Sequence, residues 1–207
     1  MVQPVALVVG AGDATGGAIA RRFAVGGYAA CVTRRDADKL APLKSPIEVM
    51  VFNIGANVPC SVLEETARKY FKIWEMACFG GFLNAREVAK RMVARGRGTL
   101  IFTGATASVR GGAGFAAFAG AKHALRALAQ SMARELGPQG VHVAHCIIDG
   151  AIDTAFIRDN FPERYALKEQ DGILQPDSIA DAYWMLHQQP RDAWTHELDL
   201  RPYMETF

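Results

Sequence analysis

Val5-Ala6-Leu7-Val8-Val9-Gly10-Ala11-Gly12-Asp13-Ala14-Thr15-Gly16-Gly17 is the stretch that decides the fold. Five apolar residues in a row suit a strand buried on both faces, as in a parallel sheet. The glycines that follow let the backbone turn tightly, and Ala18 to Val25 continues with helical periodicity. A strand, a glycine turn and a helix in immediate succession form an anion-binding turn. Its backbone comes close to a phosphate, and the helix end presents N–H groups and a positive dipole to it. The plain alternative is an ordinary tight turn.

The same alternation runs down the chain. Strands are expected at Ala29–Thr33, Val49–Phe52, Thr99–Phe102, Val141–Ile148 and Glu197–Leu200. Between them fall helices at Asp36–Leu43, with Asp36 as cap, and at Leu63–Ala94, broken near Gly80-Gly81. Further helices are expected at Phe115–Leu136, stopped by Gly137-Pro138, and at Asp177–Leu186. Repeated strand–helix units predict an α/β, doubly wound parallel sheet of Rossmann type, in three layers, with residues 1–207 as one domain.

Composition narrows the classes. Half of the residues are hydrophobic and 21% are charged, which suits a folded globular chain and not a disordered one. A net charge of +2 without a Lys/Arg run gives no reason to expect nucleic acid. No apolar run approaches the length of a membrane span. Met1 leads almost directly into the first strand, so no leader and a cytoplasmic location are expected. Cys31, Cys60, Cys78 and Cys146 lack metal-site or disulfide-frame spacing and read as reduced thiols. His142 and His145 fall on opposite faces of one strand, so no metal site is expected.

The motifs resemble those of the short-chain dehydrogenase/reductase family, in family order over nearly the whole chain. The family's Gly-x-x-x-Gly-x-Gly turn corresponds to Gly10, Ala14 and Gly16, with alanine in the middle place. Asn53-Ile54-Gly55 is similar to its Asn-Ala-Gly beside the cofactor ribose. Asp149-Gly150-Ala151-Ile152-Asp153-Thr154 is similar to its Pro-Gly-x-x-x-Thr segment beside the nicotinamide, with Asp149 for proline. The resemblance implies an NAD(P)-dependent oxidoreductase. Its expected cofactor contacts are Gly10, Gly12, Asp13, Ala14, Thr15, Gly16, Arg34, Arg35, Asn53, Gly55, Lys122, Gly150 and Thr154. Arg34 and Arg35 stand where an acidic residue would hold the ribose of NAD. They suit the 2′-phosphate of NADP(H), or else are solvated side chains.

The catalytic positions depart from the family. Members use a Tyr-x-x-x-Lys pair, a serine and an asparagine, because hydride transfer to a carbonyl needs a proton donor beside it. Here the pair reads Phe118 and Lys122, the serine position is Ala105, and the asparagine position is Ala77. Lys122 alone matches, so carbonyl or alcohol chemistry is in doubt. The alternatives are an inactive nucleotide- or partner-binding homologue, and an enzyme with other donors. Thr103, Thr106, Ser108, His123, Asp149 and Asp153 are candidate donors or, more plainly, loop hydrogen-bond formers.

Only residues 36–46 separate Arg35 from the strand leading to Asn53, where the family places an extra strand and two helices. One edge strand–helix unit is therefore expected to be missing, and apolar sheet surface to be less covered. A crossover past one strand must span about 20 Å along it and roughly 10 Å sideways, which so few residues can just manage. The substrate loop implied by the resemblance, Asp153 to Pro176, carries Phe156, Ile157, Phe161 and Tyr165, so an apolar small-molecule substrate is expected. The family's habit of pairing its two long helices implies a homodimer or homotetramer.

Overall fold

The computed structural model describes residues 3–33 and 45–206. The first strand, β1 (Val5–Val9), runs into the glycine turn and helix α1 (Thr15–Val25), followed by β2 (Ala29–Thr33). Then come β3 (Ile47–Phe52), α2 (Ala67–Trp74), a π-helical turn (Glu75–Phe79) and α3 (Gly80–Arg95). The second half holds β4 (Gly98–Thr103), α4 (Ala116–Leu136), β5 (Val141–Ile148), short helices α5 (Ala155–Asn160) and α6 (Pro162–Tyr165), α7 (Pro176–Gln188) and β6 (Glu197–Leu200).

The strands form one sheet in the order β2-β1-β3-β4-β5-β6, parallel throughout. This is the Rossmann-type order expected from the alternating units. Among the described residues no strand lies outside β2, so the expected edge unit is absent there. The expected helix at Asp36–Leu43 lies outside the described residues. Burial follows the position in the sheet. Every residue of central β3 is buried, whereas β2 has no fully buried residue and Val32 is 43% exposed.

Two apolar layers hold the helices. On one face α1 and α7 pack through Ile19, Phe23, Ile179 and Tyr183 onto Val8, Val51, Ile101 and Ala144. On the other, α3 and α4 pack through Val88, Met92, Leu125 and Ala129 onto Met50, Phe52, Leu100 and Val143. Alternation along β5 puts His142 with the first layer and His145 with the second. All four cysteines are unpaired, Cys78 and Cys146 buried.

The expected long helix over Leu63–Ala94 starts later, at Ala67. Thr66 is extended and its Oγ1 accepts the backbone N–H of Lys69 at 3.2 Å, so capping sets the start of α2. The break expected near Gly80-Gly81 is the π turn Glu75–Phe79, which ends directly ahead of Gly80. Its residue Ala77 is completely buried against Ile73, Ala117 and Ala121. Among the described residues no helix is long and apolar enough to cross a membrane.

Candidate functional site

The C-terminal ends of β1, β3, β4 and β5 bring most of the expected residues together. Gly10 has φ +87°, a region closed to most side chains, and a Cβ there would meet the Asn53 carbonyl oxygen at 2.9 Å. A Cβ on Gly16 would lie 2.7 Å from both Ala11 Cα and the Gly10 carbonyl oxygen. Turn and helix therefore close on each other only because both residues are glycine. Gly12, by contrast, faces open space. Asn53 ties the turn to β3: its Nδ2 donates to the Gly10 carbonyl at 3.2 Å. Ala14 occupies the cap position of α1 and has no side-chain acceptor to occupy the helix end. The turn is thus shaped to admit a phosphate from the Gly12 side, so these residues fit a dinucleotide.

Lys122 is 2% exposed. Its ammonium donates to the carbonyl oxygens of Ile54 (3.1 Å) and Thr103 (2.7 Å), joining the ends of β3 and β4. Burial pushes its pKa down to about 8, partly countered by the Cys78 thiol. Lys122 therefore remains mostly charged at neutral pH, beside Gly55 and one turn from Phe118.

The other catalytic positions are hydrocarbon. Phe118 is buried, with its ring centroid 5.8 Å from Lys122 Nζ, and packs with Ala105, Ala107 and Ala119. The nearby hydroxyls are engaged elsewhere. Ser108 is fully buried, and its Oγ accepts the Ala105 N–H at 3.1 Å. Thr103 Oγ1 accepts from Tyr183 at 3.0 Å, and Thr106 Oγ1 donates to Asp149. His123 is exposed and turned to the Ala119 carbonyl of its own helix.

Beyond β5, Gly150 lies under Pro202, and Thr154 caps α5, accepting the Ile157 N–H at 3.2 Å. Asp153 pairs with Lys168 at 2.9 Å. Thr15 is buried at the start of α1 and Asp13 is exposed on the turn. Arg34 and Arg35 lie outside the described residues. Among the described residues no cluster of His, Cys, Asp or Glu could hold a metal ion.

Sequence reasoning missed one network. Asp149 is buried and meets Arg201 at 3.3 Å and Arg110 at 3.8 Å, in addition to Thr106. The acid at a proline position was the visible signal; nothing in the sequence marked Arg201, which returns from beyond β6. A second feature is a cleft of about 390 Å³ between the glycine turn and the Asp153–Arg158 segment, with Arg21 on its rim.

Comparison with known proteins agrees with this architecture. A family model for short chain dehydrogenases matches residues 42–164. Zerumbone synthase of Zingiber zerumbet is 30% identical over 132 residues, 63% of this chain and 49% of that protein. The chain thus spans about half the length of that curated relative. The 3-oxoacyl-[acyl-carrier-protein] reductase MabA of Mycobacterium tuberculosis is 29% identical over 194 residues, 82% of this chain and 75% of that protein. A crystal structure of a short-chain dehydrogenase from Rhodopseudomonas palustris superposes with a TM-score of 0.78 at 42% identity. The match covers 97% of this chain and 99% of that one. With its parallel sheet, its glycine turn and a family match over more than half of its length, this chain belongs to the short-chain dehydrogenase family.

Proposed function

We propose that residues 1–207 form one NADP(H)-binding domain that does not carry out the family's usual carbonyl or alcohol chemistry. Membership implies a nicotinamide dinucleotide and an oxidoreductase ancestry. The observation that carries the rest is the apolar contact of Phe118 with Ala105, Ala107 and Ala119, beside a lysine already donating to two carbonyls. When bound, the dinucleotide supplies a hydride. In this chain Gly10, Gly12 and Gly16 admit its phosphates, and Asn53, Gly55 and Lys122 support the ribose. Gly150 and Thr154 border the nicotinamide end, and Arg34 with Arg35 favours NADP(H) over NAD(H). Phe118 itself carries no hydroxyl to act as the proton donor.

A second reading is hydride transfer to an activated C=C bond. It draws on Phe156 and Phe161, exposed on the substrate loop, which suit an apolar ligand. It also draws on the Lys122 ammonium, a cation suited to stabilising an enolate. We further propose a cytoplasmic homodimer or homotetramer through α2, α3 and α4. The supporting feature is an outward row of rings, Phe71, Trp74, Phe79 and Phe82, with centroids 5.8 to 6.1 Å apart.

The test is titration with NADPH and NADH, followed by turnover assays on ketones and enones. Saturable NADPH binding, tighter than NADH, without ketone turnover is the expected result. Ketone reduction abolished by Lys122→Ala would overturn the reading. Enone turnover alone would establish the second.

A further inference from the structure

The cleft between the glycine turn and the segment after β5 carries one arginine on each wall. Arg21 stands on α1 and Arg158 on α5, and both line the cleft. Arg21 is folded back along its helix: its Nη1 lies 3.3 Å from where a Cβ on Gly17 would be. Gly17 thus makes room for a guanidinium beside the turn. The neighbouring Arg22 differs, being committed to Asp181 at 2.6 Å and to the Trp184 ring at 4.6 Å.

The partners of Arg21 and Arg158 are weak. Arg21 meets Asp177 only at 3.8 Å, with the two side chains 66% and 87% exposed. Arg158 pairs with its chain neighbour Asp159 at 2.8 Å, also in the open. Exposed pairs of this kind contribute about 0 to 1 kcal/mol, so they are readily exchanged for the two negative charges of a pyrophosphate, one on each phosphate. Of the acidic groups on the cleft, Asp153 is held by Lys168 and Asp177 faces Arg21.

We propose that Arg21 and Arg158 form a clamp across this cleft for the pyrophosphate of the dinucleotide. The clamp rests on the dinucleotide-binding reading and adds residues outside the glycine motif. It moves binding strength from the adenine end, where the missing unit would have stood, to the phosphates.

Calorimetric titration of the full chain tests this with NADPH, ADP, inorganic pyrophosphate and adenosine as probes. The proteins are wild type, Arg21→Gln, Arg158→Gln and the double variant. Each arginine variant is expected to weaken NADPH, ADP and pyrophosphate by about tenfold, the scale of one charge-assisted contact. Adenosine should be unaffected. Both arginines are exposed, so thermal midpoints should stay unchanged. NADPH binding by the double variant within about twofold of wild type would overturn the clamp and leave the dinucleotide reading standing. Pyrophosphate binding that depends on the arginines, with no NADPH binding, would overturn the cofactor reading and keep the clamp as an anion site. Binding of neither probe by wild type would overturn both.

Discussion

The two halves of the site have kept different things. At the glycine turn the backbone is intact: Gly10 and Gly16 meet Asn53 and Ala11 at distances that leave no room for a side chain. At the donor pocket the backbone is equally well packed, but Phe118, Ala105 and Ala77 have filled the functional places with hydrocarbon. Glycines whose neighbours touch backbone atoms are needed by the fold whether or not a ligand binds. A tyrosine hydroxyl at a buried helix position is not needed by the fold, and its loss leaves the packing undisturbed.

The hardest blow to this contrast falls on the turn. Gly16→Val would press methyl groups into the Gly10 carbonyl and Ala11, both main chain and unable to move aside. Overpacking of this kind costs about 3 kcal/mol. Urea unfolding should show that loss, and NADPH titration should show binding reduced beyond detection. Retained stability would mean that the turn is looser than its contacts indicate.

A loss of similar size comes from pH, on the other side of the contrast. His145 lies under the donor pocket, fully buried, its ring leaving no room for a side chain at Gly104. It faces Glu197 at 3.3 Å, with Arg126 and Lys122 near. Burial pushes its pKa down to about 4 from 6.5. The unfolded chain therefore takes up this proton first. Stability is complete above pH 6.5 and falls as the pH drops from there to about 4, by about 3 kcal/mol for this group. His187, also pushed down to about 4, adds a slope in the same window. Denaturant midpoints between pH 7 and 4 should fall, and His145→Gln should flatten part of that fall. An unchanged slope would show that His145 reaches solvent.

Much of this was legible beforehand, for physical reasons that differ by residue. Val5–Val9 was readable because a buried parallel strand is an uninterrupted apolar run, and Val141–Ile148 because its apolar residues outnumber its two histidines; the bounds of both match the structure. The start of α2 was not, because the capping role of Thr66 depends on one hydrogen bond that periodicity does not reveal. Gly10, Asn53 and Lys122 could be brought together from motif order. The Asp149–Arg201 pair could not, since Arg201 reaches the site from beyond the last strand. The missing edge unit was visible as a short interval between β2 and β3, and among the described residues no strand lies outside β2.

Lys122 links the two halves, so its removal has an intermediate effect. Lys122→Met would leave the Ile54 and Thr103 carbonyls without their donor. An unsatisfied buried acceptor costs about 1 to 3 kcal/mol, partly offset here by releasing a buried ammonium, so a net loss of roughly 2 kcal/mol is expected. NADPH affinity should fall with it. A loss of stability without a loss of affinity would make Lys122 a structural tie between β3 and β4 and nothing more.

The smallest change is the one that repairs the donor pocket. Phe118→Tyr adds a single hydroxyl to a ring whose centroid lies 5.8 Å from the Lys122 ammonium. The stability change should stay below about 1 kcal/mol. Alone it should give little ketone reduction, because Ala105 supplies no hydroxyl to polarise a carbonyl. Phe118→Tyr with Ala105→Ser restores both groups on a backbone that already holds them in place. If the two halves are as separate as the packing indicates, NADPH oxidation with simple ketones should rise above the single variant. It should also depend on Lys122. If the double variant binds NADPH as wild type does yet stays inactive, the fault lies beyond these two positions, with buried Ala77 the next to change.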